Sequence, residues 1–485
     1  MKKTHFARIV VVVMSVCLLA LPYINNTRAA DKVTVTYWDW FVTQGPAIDE
    51  AIAKFEAANP DIHIEKTTQS VDQFSNLLSL AYQGDSAPDV FPIPDGLKLP
   101  VLVSNSWVEP WSNFADFQDF KATFPNPDSR FVEGSNVFDG KAYSAPVAPG
   151  GPWLQVYVNR ELYKEAGLVN SDGSLKLPVT WSDLVSNSRV IKEKTVKYGL
   201  GFGGTTNQID WFWWGCQLSA PLYTDSFAGF DVRTGKFSFA TNACYKDMIK
   251  SLLTMRDDKL VLPESLSTDD ESVRVRFGNG EFAHLFAGSW ILPGLKKTNP
   301  EFTDFTAIPV PLLSGTTKPT SYFYEAPGGG YLAINANSKV KEAAWKFIKF
   351  VYGKDYGEIM AKAGLGINFW TPGKPSDYAT TDAEKAVAEM TNLSVPGPSA
   401  SIRNPNLSKV QLTLQGPDQS NILMGIYTGQ IEDVDAALQD LDKRYTDALT
   451  QAIADANAAG VKVSIDDYLF PDFDPAKPYV QAAAK

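Results

Sequence analysis

The order strand, helix, strand that begins at Val33 limits the fold more than any other feature of this chain. Val33–Trp40 alternates apolar and polar residues, as a half-buried strand does. A helix follows that begins at Gly45 and ends before Pro60, and Ile62–Ile64 starts the next strand. Strands that alternate with helices predict a parallel sheet with helices on both faces, in which ligands bind outside the carboxyl ends of the strands.

The end of the first strand carries two indoles around a carboxylate, Trp38-Asp39-Trp40. A pyranose packs its C–H face on an aromatic ring and needs hydrogen-bonding groups at its rim, so indoles beside an acid favour carbohydrate. Either indole also fits the core of an edge strand. A third strand ends at Pro94-Asp95-Gly96, beside the first, which makes Asp95 either a ligand contact or part of an Asp-Gly turn.

Residues 1–29 have the features of a cleavable signal peptide. A basic start precedes the apolar run Ile9–Leu21, and Thr27-Arg28-Ala29 supplies small residues for cleavage. The run is shorter than the about 20 residues that cross a bilayer as a helix. Because the residues before Cys17 lack the pattern of a lipid-modified cysteine, we expect an exported, periplasmic protein without a lipid anchor.

The charge of the chain argues against nucleic acid as a partner. Removing residues 1–29 takes away four basic residues and no acids, so the formal net charge of −11 becomes −15. Binding to a polyanion requires clustered Lys and Arg, and the longest basic run here is Lys296-Lys297. The acidity indicates solubility.

Cofactor chemistry has no local support in the sequence. Cys216 and Cys244 are the cysteines that remain after the signal peptide, and in an oxidising compartment they form one disulfide or stay as two buried thiols. His63 and His284 lie outside any HExxH, CxxC or EF-hand spacing, so we expect neither a metal nor another cofactor. Neither a GxSxG elbow nor a P-loop is present, and we assign no catalytic residue.

The length of the chain predicts two lobes. About 455 residues follow the signal peptide, more than one hydrophobic core usually serves. The Pro- and Gly-rich passage Phe138–Gly151 is typical of a crossing, and the strand Leu154–Val158 starts the second lobe. A capping box at Thr180 and Asp183 begins a helix of that lobe. After a second irregular passage the strand Tyr331–Ile334 returns to the first lobe.

Seven stretches in order resemble the family 1 extracellular solute-binding proteins, the maltose-binding-protein-like receptors of bacterial ABC sugar importers. They are TYWDW, FEAANPDIHIE, SAPDVFPI, GKAYSAP with VYVNRELYKEAGL, LPVTWSDL, FGNGEFAHLFAGSW, and APGGGYLAI with EAAWKFIKFVYG. The resemblance covers Val33 to Leu449 and implies an α/β, two-lobed type II periplasmic-binding-protein fold with discontinuous lobes and a hinge. It implies residues 31–147 and 325–375 for lobe one, 148–324 and 376–461 for lobe two, and 462–485 for a C-terminal tail.

The resemblance also implies a set of cleft residues. The positions that match are Trp40, Gln44, Asp95, Trp153, Trp211, Trp214, Trp290, Glu325 and Trp370. At Trp40 an indole replaces the polar residue usual in the family, which favours a stacking contact. Within Asp210–Trp214, Trp211 and Trp214 share a helix face, so we assign these two to the cleft and Trp213 to the core.

The function that the resemblance implies is capture of a sugar, which we expect to be an oligosaccharide. The sugar bridges the lobes, favours the closed form and is delivered to permease subunits of an ABC transporter by a monomeric receptor that is not an enzyme. One alternative is an exported glycoside hydrolase or lyase, in which Asp39 pairs with Asp95 or Glu325 across about 5 to 9.5 Å. The other is a binding protein for a non-sugar solute, such as a polyamine or a peptide.

Overall fold

The computed structural model describes residues 32–94, 96–148, 150, 153–206, 208–219, 227–316, 323–325, 328–474 and 477–479. The strands are β1 (Val33–Asp39), β2 (Ile62–Thr68), β3 (Val90–Pro92), β4 (Val137–Phe138), β5 (Lys141–Ala142), β6 (Gln155–Asn159), β7 (Tyr198–Gly201), β8 (Phe230–Asp231), β9 (Lys236–Phe237), β10 (Phe282–Ala287), β11 (Phe305–Ile308), β12 (Phe323–Glu325), β13 (Leu332–Ile334) and β14 (Ser394–Pro396). The α-helices are α1 (Gly45–Ala58), α2 (Phe74–Gln83), α3 (Leu99–Ser104), α4 (Phe117–Ala122), α5 (Pro127–Arg130), α6 (Arg160–Glu165), α7 (Trp181–Thr195), α8 (Asp210–Ser219), α9 (Ala243–Asp257), α10 (Asp270–Gly278), α11 (Ile291–Thr298), α12 (Lys341–Val351), α13 (Lys354–Lys362), α14 (Pro375–Tyr378), α15 (Asp382–Met390), α16 (Ala400–Arg403), α17 (Gln419–Thr428) and α18 (Val434–Ala458).

The first sheet confirms the alternation of strands and helices predicted from Val33 onwards. β1 pairs in parallel with β2 from Val33 opposite Ile62 to Asp39 opposite Thr68. The sheet has the order β13-β3-β1-β2, and β13 lies antiparallel to β3, so the predicted return of the chain to the first lobe is confirmed. Because β1 and β3 are parallel, both end at one edge of the sheet, where Trp40 follows β1.

The second sheet has the order β11-β6-β10-β7. β6 runs antiparallel to β11 and to β10, with Gln155 opposite Ala287, while β10 and β7 are parallel. The amino end of β6 therefore shares an edge with the carboxyl ends of its neighbours. β13 in the first sheet and β6 in the second are the strands by which the chain enters from the other lobe. Each begins at the cleft edge, where the parallel strands of its sheet end, and it therefore runs antiparallel to its neighbours.

Each lobe has its own hydrophobic core. The buried apolar side chains around the first sheet come from residues 35–145 and 332–360, and those around the second from residues 154–312 and 383–473. Each core thus combines two stretches of chain that are distant in sequence. The lobe limits predicted above stay a proposal, which this separation of the cores supports.

A short pair of strands lies apart from both main sheets. β12, in the second crossing, pairs in parallel with β14, with Phe323 opposite Ser394. Because β12 and β14 belong to neither main sheet, a rotation of their backbone leaves both hydrophobic cores unchanged. A hinge between two lobes requires this property.

The segment predicted as a tail packs on the second lobe. Its side chains in that core are Val463, Tyr468, Phe470 and Phe473. The Phe470 N–H donates to the carbonyl oxygen of Val232 at 2.7 Å, and the Arg403 guanidinium lies 3.6 Å from the centroid of the Phe470 ring. The end of the chain therefore completes the core of this lobe.

Local signals in the sequence are matched by the helices. α1 buries Ile48, Ile52 and Phe55, as its apolar stripe predicted. Thr180 and Asp183 form the predicted capping box at the start of α7. Among the described residues, no helix combines the length and the apolar composition that a bilayer crossing requires.

Candidate functional site

Four indoles of the second lobe form two edge-to-face pairs beside the edge of its sheet. The ring centroids of Trp211 and Trp290 are 5.8 Å apart with their planes at 79°, and those of Trp153 and Trp214 are 5.9 Å apart at 75°. The four come from the second residue before β6, from α8 and from the turn after β10. All four are half-buried, so they keep aromatic surface that a ligand can cover.

The helix α8 divides its indoles between this surface and the core. Trp213 is fully buried, and its Nε1 donates to the carbonyl oxygen of Gln419 at 2.9 Å. Trp211 and Trp214, three residues apart, lie on the half-buried face. The predicted burial of Trp213 is confirmed, and the assignment of Trp211 and Trp214 to a ligand stays a prediction.

Asp210, at the start of α8, fixes the position of Trp214. Trp214 Nε1 donates to Asp210 Oδ2 at 2.8 Å. Ser420 Oγ and Gln419 Nε2, both in α17, donate to Oδ1 at 2.7 and 3.1 Å. Burial raises the pKa of the Asp210 carboxyl, and the hydrogen bonds from Ser420, Trp214 and Gln419 offset only part of that rise. This role of Asp210 was not predicted from the sequence, although an acid four residues before an indole on a helix is a detectable signal.

The first lobe contributes the loop that follows β1. The Trp40 ring packs against Phe74 and Phe41, with centroids 4.8 and 4.9 Å away, and is half-buried. Gln44 ends this loop, and its carbonyl oxygen accepts the Ala47 N–H at 3.0 Å at the start of α1. Both predicted residues thus flank one loop of the first lobe.

The same loop contacts the second lobe at α11. A methyl group placed on Gly294 would lie 3.0 Å from Thr43 Cγ2. Trp290 precedes Gly294 by four residues, which puts both on one side of the helix. The edge of the second sheet that carries the indoles therefore faces the loop between Trp40 and Gln44 across the cleft.

Asp39 is not at the rim of the cleft, and its predicted part in the strand-end site is wrong. The residue is fully buried, on the face of β1 that also buries Val35 and Tyr37. Oδ1 accepts the Phe41 N–H at 3.3 Å, and Oδ2 has no hydrogen-bond partner among the described residues. Burial raises the pKa of Asp39, against the lowering effect of Thr68, Lys66 and Phe41. A carboxylate without solvent access is unsuited to the acid–base role that a glycoside hydrolase needs.

A cavity of about 430 Å³ lies between the lobes, and we call it the interlobe cavity. Among the predicted site residues that the structure describes, Trp153 lines it. Its walls come from the first crossing, the start of α11, the loop after α13, and α14 and α15. The lining residues are Ala148, Gly150, Trp153, Ser289, Leu292, Ala361, Gly364, Leu365, Gly366, Ile367, Pro375, Tyr378, Ala379, Glu384, Val387, Ala388 and Thr391.

Of the remaining predicted site residues, Trp370 lies away from the indole pairs. The Trp370 ring packs against Phe124 at 4.8 Å, and its Nε1 donates to Thr123 Oγ1 at 3.2 Å, both in the first lobe. Asp95 lies outside the described residues, and for Glu325 the structure describes the backbone in β12. Their roles in binding stay predictions.

Cys216 and Cys244 form no disulfide, so of the two predicted alternatives the structure has the pair of buried thiols. Cys216 in α8 and Cys244 in α9 are free and buried, and the Cys216 thiol donates to the Cys244 carbonyl oxygen at 3.1 Å. Burial raises the pKa of the Cys216 thiol, which keeps it protonated and unreactive.

His284 is a core residue of β10. Its Nε2 lies 2.6 Å from the Tyr163 hydroxyl, and its Nδ1 lies 2.6 Å from the Gly199 carbonyl oxygen. Burial lowers the pKa of His284 to about 4, so the ring is neutral and bonded on both sides. In the part of the chain that the structure describes, no cluster of three His, Cys, Asp or Glu side chains is arranged to hold a metal.

Comparison with known proteins agrees with this geometry. The sequence profile of the bacterial extracellular solute-binding proteins matches residues 41–358. The Multiple sugar-binding protein of Streptococcus mutans is 25% identical over 343 residues, which cover 67% of this chain and 74% of that protein. The residues matched by the family profile include both irregular passages between the lobes.

Solved structures show the same fold at low identity. The GacH receptor of Streptomyces glaucescens, solved unliganded and with acarbose, is 18% identical with a TM-score of 0.62 and covers 86% of this chain and 99% of its own. The maltose/maltodextrin-binding domain MalE of Bdellovibrio bacteriovorus, bound to maltotriose, is 19% identical with a TM-score of 0.62 and covers 86% and 100%.

Two α/β lobes, a chain that crosses between them and returns, and half-buried indoles beside one sheet edge are the features of a two-lobed solute-binding protein. The chain belongs to the bacterial extracellular solute-binding protein family, which confirms the resemblance drawn from the seven stretches.

Proposed function

We propose that this protein captures a saccharide in the cleft between its lobes and delivers it unchanged to the permease of an ABC importer. The observation that carries the proposal is the gathering of Trp153, Trp211, Trp214 and Trp290 in two pairs beside one sheet edge. Relatives whose names or structures include sugars support the same ligand class.

Magnitudes indicate that the indoles need help from closure of the lobes. An aromatic stack contributes about 0.5 to 1.5 kcal/mol beyond area burial, so three stacks contribute roughly 1.5 to 4.5 kcal/mol. Micromolar capture requires about 8 kcal/mol after ordering costs. The remainder comes from hydrogen bonds and from aromatic area that is covered when the first lobe closes on the ligand.

The setting that fits this function is the periplasm. Residues 1–29 are proposed to direct export and to be removed, and a monomer then diffuses between ligand and permease. Permease subunits recognise the closed form, since ligand contact with both lobes favours that form.

A thermal-shift screen against mono- and oligosaccharides tests the proposal, because a ligand that binds the folded state raises Tm. We expect at least one saccharide to raise Tm in the wild type, and we expect Trp290→Ala to lose both that shift and the ligand-induced compaction seen by small-angle scattering. Trp107→Ala is the matched control, since Trp107 stacks on Tyr82 at 4.4 Å, at the opposite edge of the first sheet. If Trp290→Ala showed the same Tm shift and the same compaction as the wild type, the assignment of the ligand site to the indole pairs would be refuted.

Incubation with a labelled oligosaccharide separates receptor from enzyme. Recovery of the intact label after release from the protein is expected. Cleaved product would contradict the proposal.

A further inference from the structure

We propose that the interlobe cavity binds an apolar substituent of the ligand, an aryl ring or a short alkyl chain carried by the saccharide. This inference rests on the proposed function and specifies the ligand class more closely. The cavity adjoins the indole pairs but differs from them in chemistry.

The walls of the cavity are largely aliphatic. Leu292 comes from α11, Leu365 and Ile367 from the loop after α13, and Val387 and Ala388 from α15. Such walls offer few of the hydrogen-bonding groups that sugar hydroxyls require. They favour a group that loses water-exposed apolar area on entry.

Two of the three side-chain hydroxyls in these walls are committed to the protein, and the third belongs to Ser289. Tyr378 Oη donates to the Pro372 carbonyl oxygen at 2.8 Å, and Thr391 Oγ1 donates to the Ala388 carbonyl oxygen at 2.7 Å. A saccharide that entered here would have to break these bonds to use either group as a donor.

The one carboxylate in the walls is also occupied. Glu384 accepts the Thr380 and Thr381 N–H groups at 2.6 and 2.9 Å and the Thr380 hydroxyl at 2.7 Å, and it forms an ion pair with Lys296. These partners make it the third-residue member of the capping box that Thr381 begins at α15, so it is a structural group and has little capacity left for a ligand.

The size of the cavity fits an aromatic ring. An apolar cavity of about 150 Å³ already binds benzene, and the interlobe cavity measures about 430 Å³. The remaining volume accommodates the bond to the sugar and some rotation of the ring.

Trp153 connects this cavity with the saccharide surface. Its ring lines the cavity and also pairs edge-to-face with Trp214 at 5.9 Å. A sugar on the indole pairs therefore directs a substituent past Trp153 into the aliphatic space between α13 and α15.

The test uses 4-fluorophenol and its ¹⁹F transverse relaxation in the presence of the full chain. We expect the wild type to accelerate relaxation, and we expect Ala388→Phe and Ala148→Phe, which fill the cavity from α15 and from the first crossing, to abolish the effect. Lys362→Phe is the matched control, because Lys362 is exposed at the end of α13 and does not line the cavity. Two filling variants keep the test valid if one fails to fold.

A probe that does not bind the wild type, or that binds both filled variants equally well, overturns the proposal. Where a sugar raises Tm in the saccharide screen, its phenyl glycoside should bind about tenfold more tightly than its methyl glycoside, and this gain should vanish in Ala388→Phe. Equal affinities of the two glycosides in the wild type also overturn it. If no sugar raises Tm, the saccharide function fails, while the 4-fluorophenol result still decides the nature of the cavity.

Discussion

At the scale of single residues, two buried carboxylates have opposite consequences. Asp210 has hydrogen-bond donors for both oxygens and orients an indole of the cleft. Asp39 is fully buried at the end of β1 with Oδ2 unpaired among the described residues. The first is an organising group, and the second is a source of instability whenever it is ionised.

Replacing Asp210 by Asn should loosen Trp214. Trp214, Ser420 and Gln419 donate hydrogen bonds to both oxygens of Asp210. An Asn side chain has one acceptor oxygen, and its NH₂ group would face at least one of these donors without being able to accept from it. We expect Asp210→Asn to lower the free energy of unfolding by about 1 to 3 kcal/mol in urea titrations and to weaken saccharide binding. Ser420→Ala removes one of these donors and should cost less. Unchanged stability and affinity in Asp210→Asn would exclude the anchoring role.

The stability of Asp39→Asn relative to the wild type should depend on pH. Because the pKa of Asp39 is raised in the folded state, the folded protein binds more protons between about pH 4 and that raised value, and wild-type stability falls as pH rises through this window. The stability of Asp39→Asn relative to the wild type should therefore increase from about pH 4 upwards, as measured by the urea midpoint of unfolding.

Asp116→Asn is a control, because the stability difference between this variant and the wild type should depend on pH in the opposite way. Hydrogen bonds from Lys349 and Trp345 lower the pKa of Asp116. Asp116→Asn should therefore have a lower free energy of unfolding than the wild type above about pH 4, and this difference should shrink as the pH falls below that value. A parallel pH dependence in the two variants would contradict the burial argument for Asp39.

At the scale of elements, a close backbone contact joins the segment after α5 to α16. Gly134 has φ +81°, and a methyl group on it would lie 2.3 Å from the Ser401 carbonyl oxygen and 2.8 Å from Pro405 Cα. A residue of the first lobe thus packs directly on backbone of the second stretch of lobe two.

Gly134→Ala should destabilise this contact. The clash with Ser401 adds to the cost of a positive φ, for a total of about 1 to 3 kcal/mol in the free energy of unfolding. Gly140→Ala is the matched control, since Gly140 has φ +72° with nothing within 4 Å of an added methyl group. It should cost about 1 kcal/mol from the backbone alone. Equal losses in the two variants would show that the contact with Ser401 contributes nothing.

Elements with local signals were predictable from the sequence, and pairings between distant segments were not. The stripe of α1 and the capping box of α7 depend on neighbours within a few residues. The pairing of β12 with β14 depends on segments about 70 residues apart, for which no local pattern exists.

The candidate site shows the same division. Helical spacing separated Trp213 from Trp211 and Trp214, but alternation along β1 did not indicate which of its faces meets the ligand. Helices cover both faces of a parallel sheet, so either alternate set of residues is buried in part. This is why Asp39 was assigned to the rim although it lies in the core. The interlobe cavity was missed because its walls come from both lobes.

At the scale of the whole molecule, glycines lie where the lobes approach each other. Gly294 faces Thr43, and Gly364, with φ +80°, lies so close to Glu384 that an added methyl group would be 2.6 Å from Oε1. A side chain at either position would press on the facing lobe, so the approach of the lobes at these points is favoured by small residues.

Gly294→Phe should shift the molecule towards an open form. A phenyl group between α11 and Thr43 prevents the approach described above, so we expect a larger radius of gyration by small-angle scattering and at least tenfold weaker saccharide binding. Lys297→Phe, at an exposed position of the same helix, should match the wild type in both measurements. Normal compaction of Gly294→Phe with ligand would show that closure does not involve this contact.

The packing of the chain end on lobe two has a consequence for biosynthesis. Phe470 and Phe473 cover a core that also contains Phe230 and Phe237, so a ribosome must translate some 230 further codons before those earlier rings are shielded. At a synthesis rate of about 5 to 20 residues per second, the nascent chain exposes apolar core residues of the second lobe for roughly ten seconds or more. Chaperone capture is therefore favoured until the stop codon is reached, and a premature stop near codon 460 would leave a product prone to aggregation.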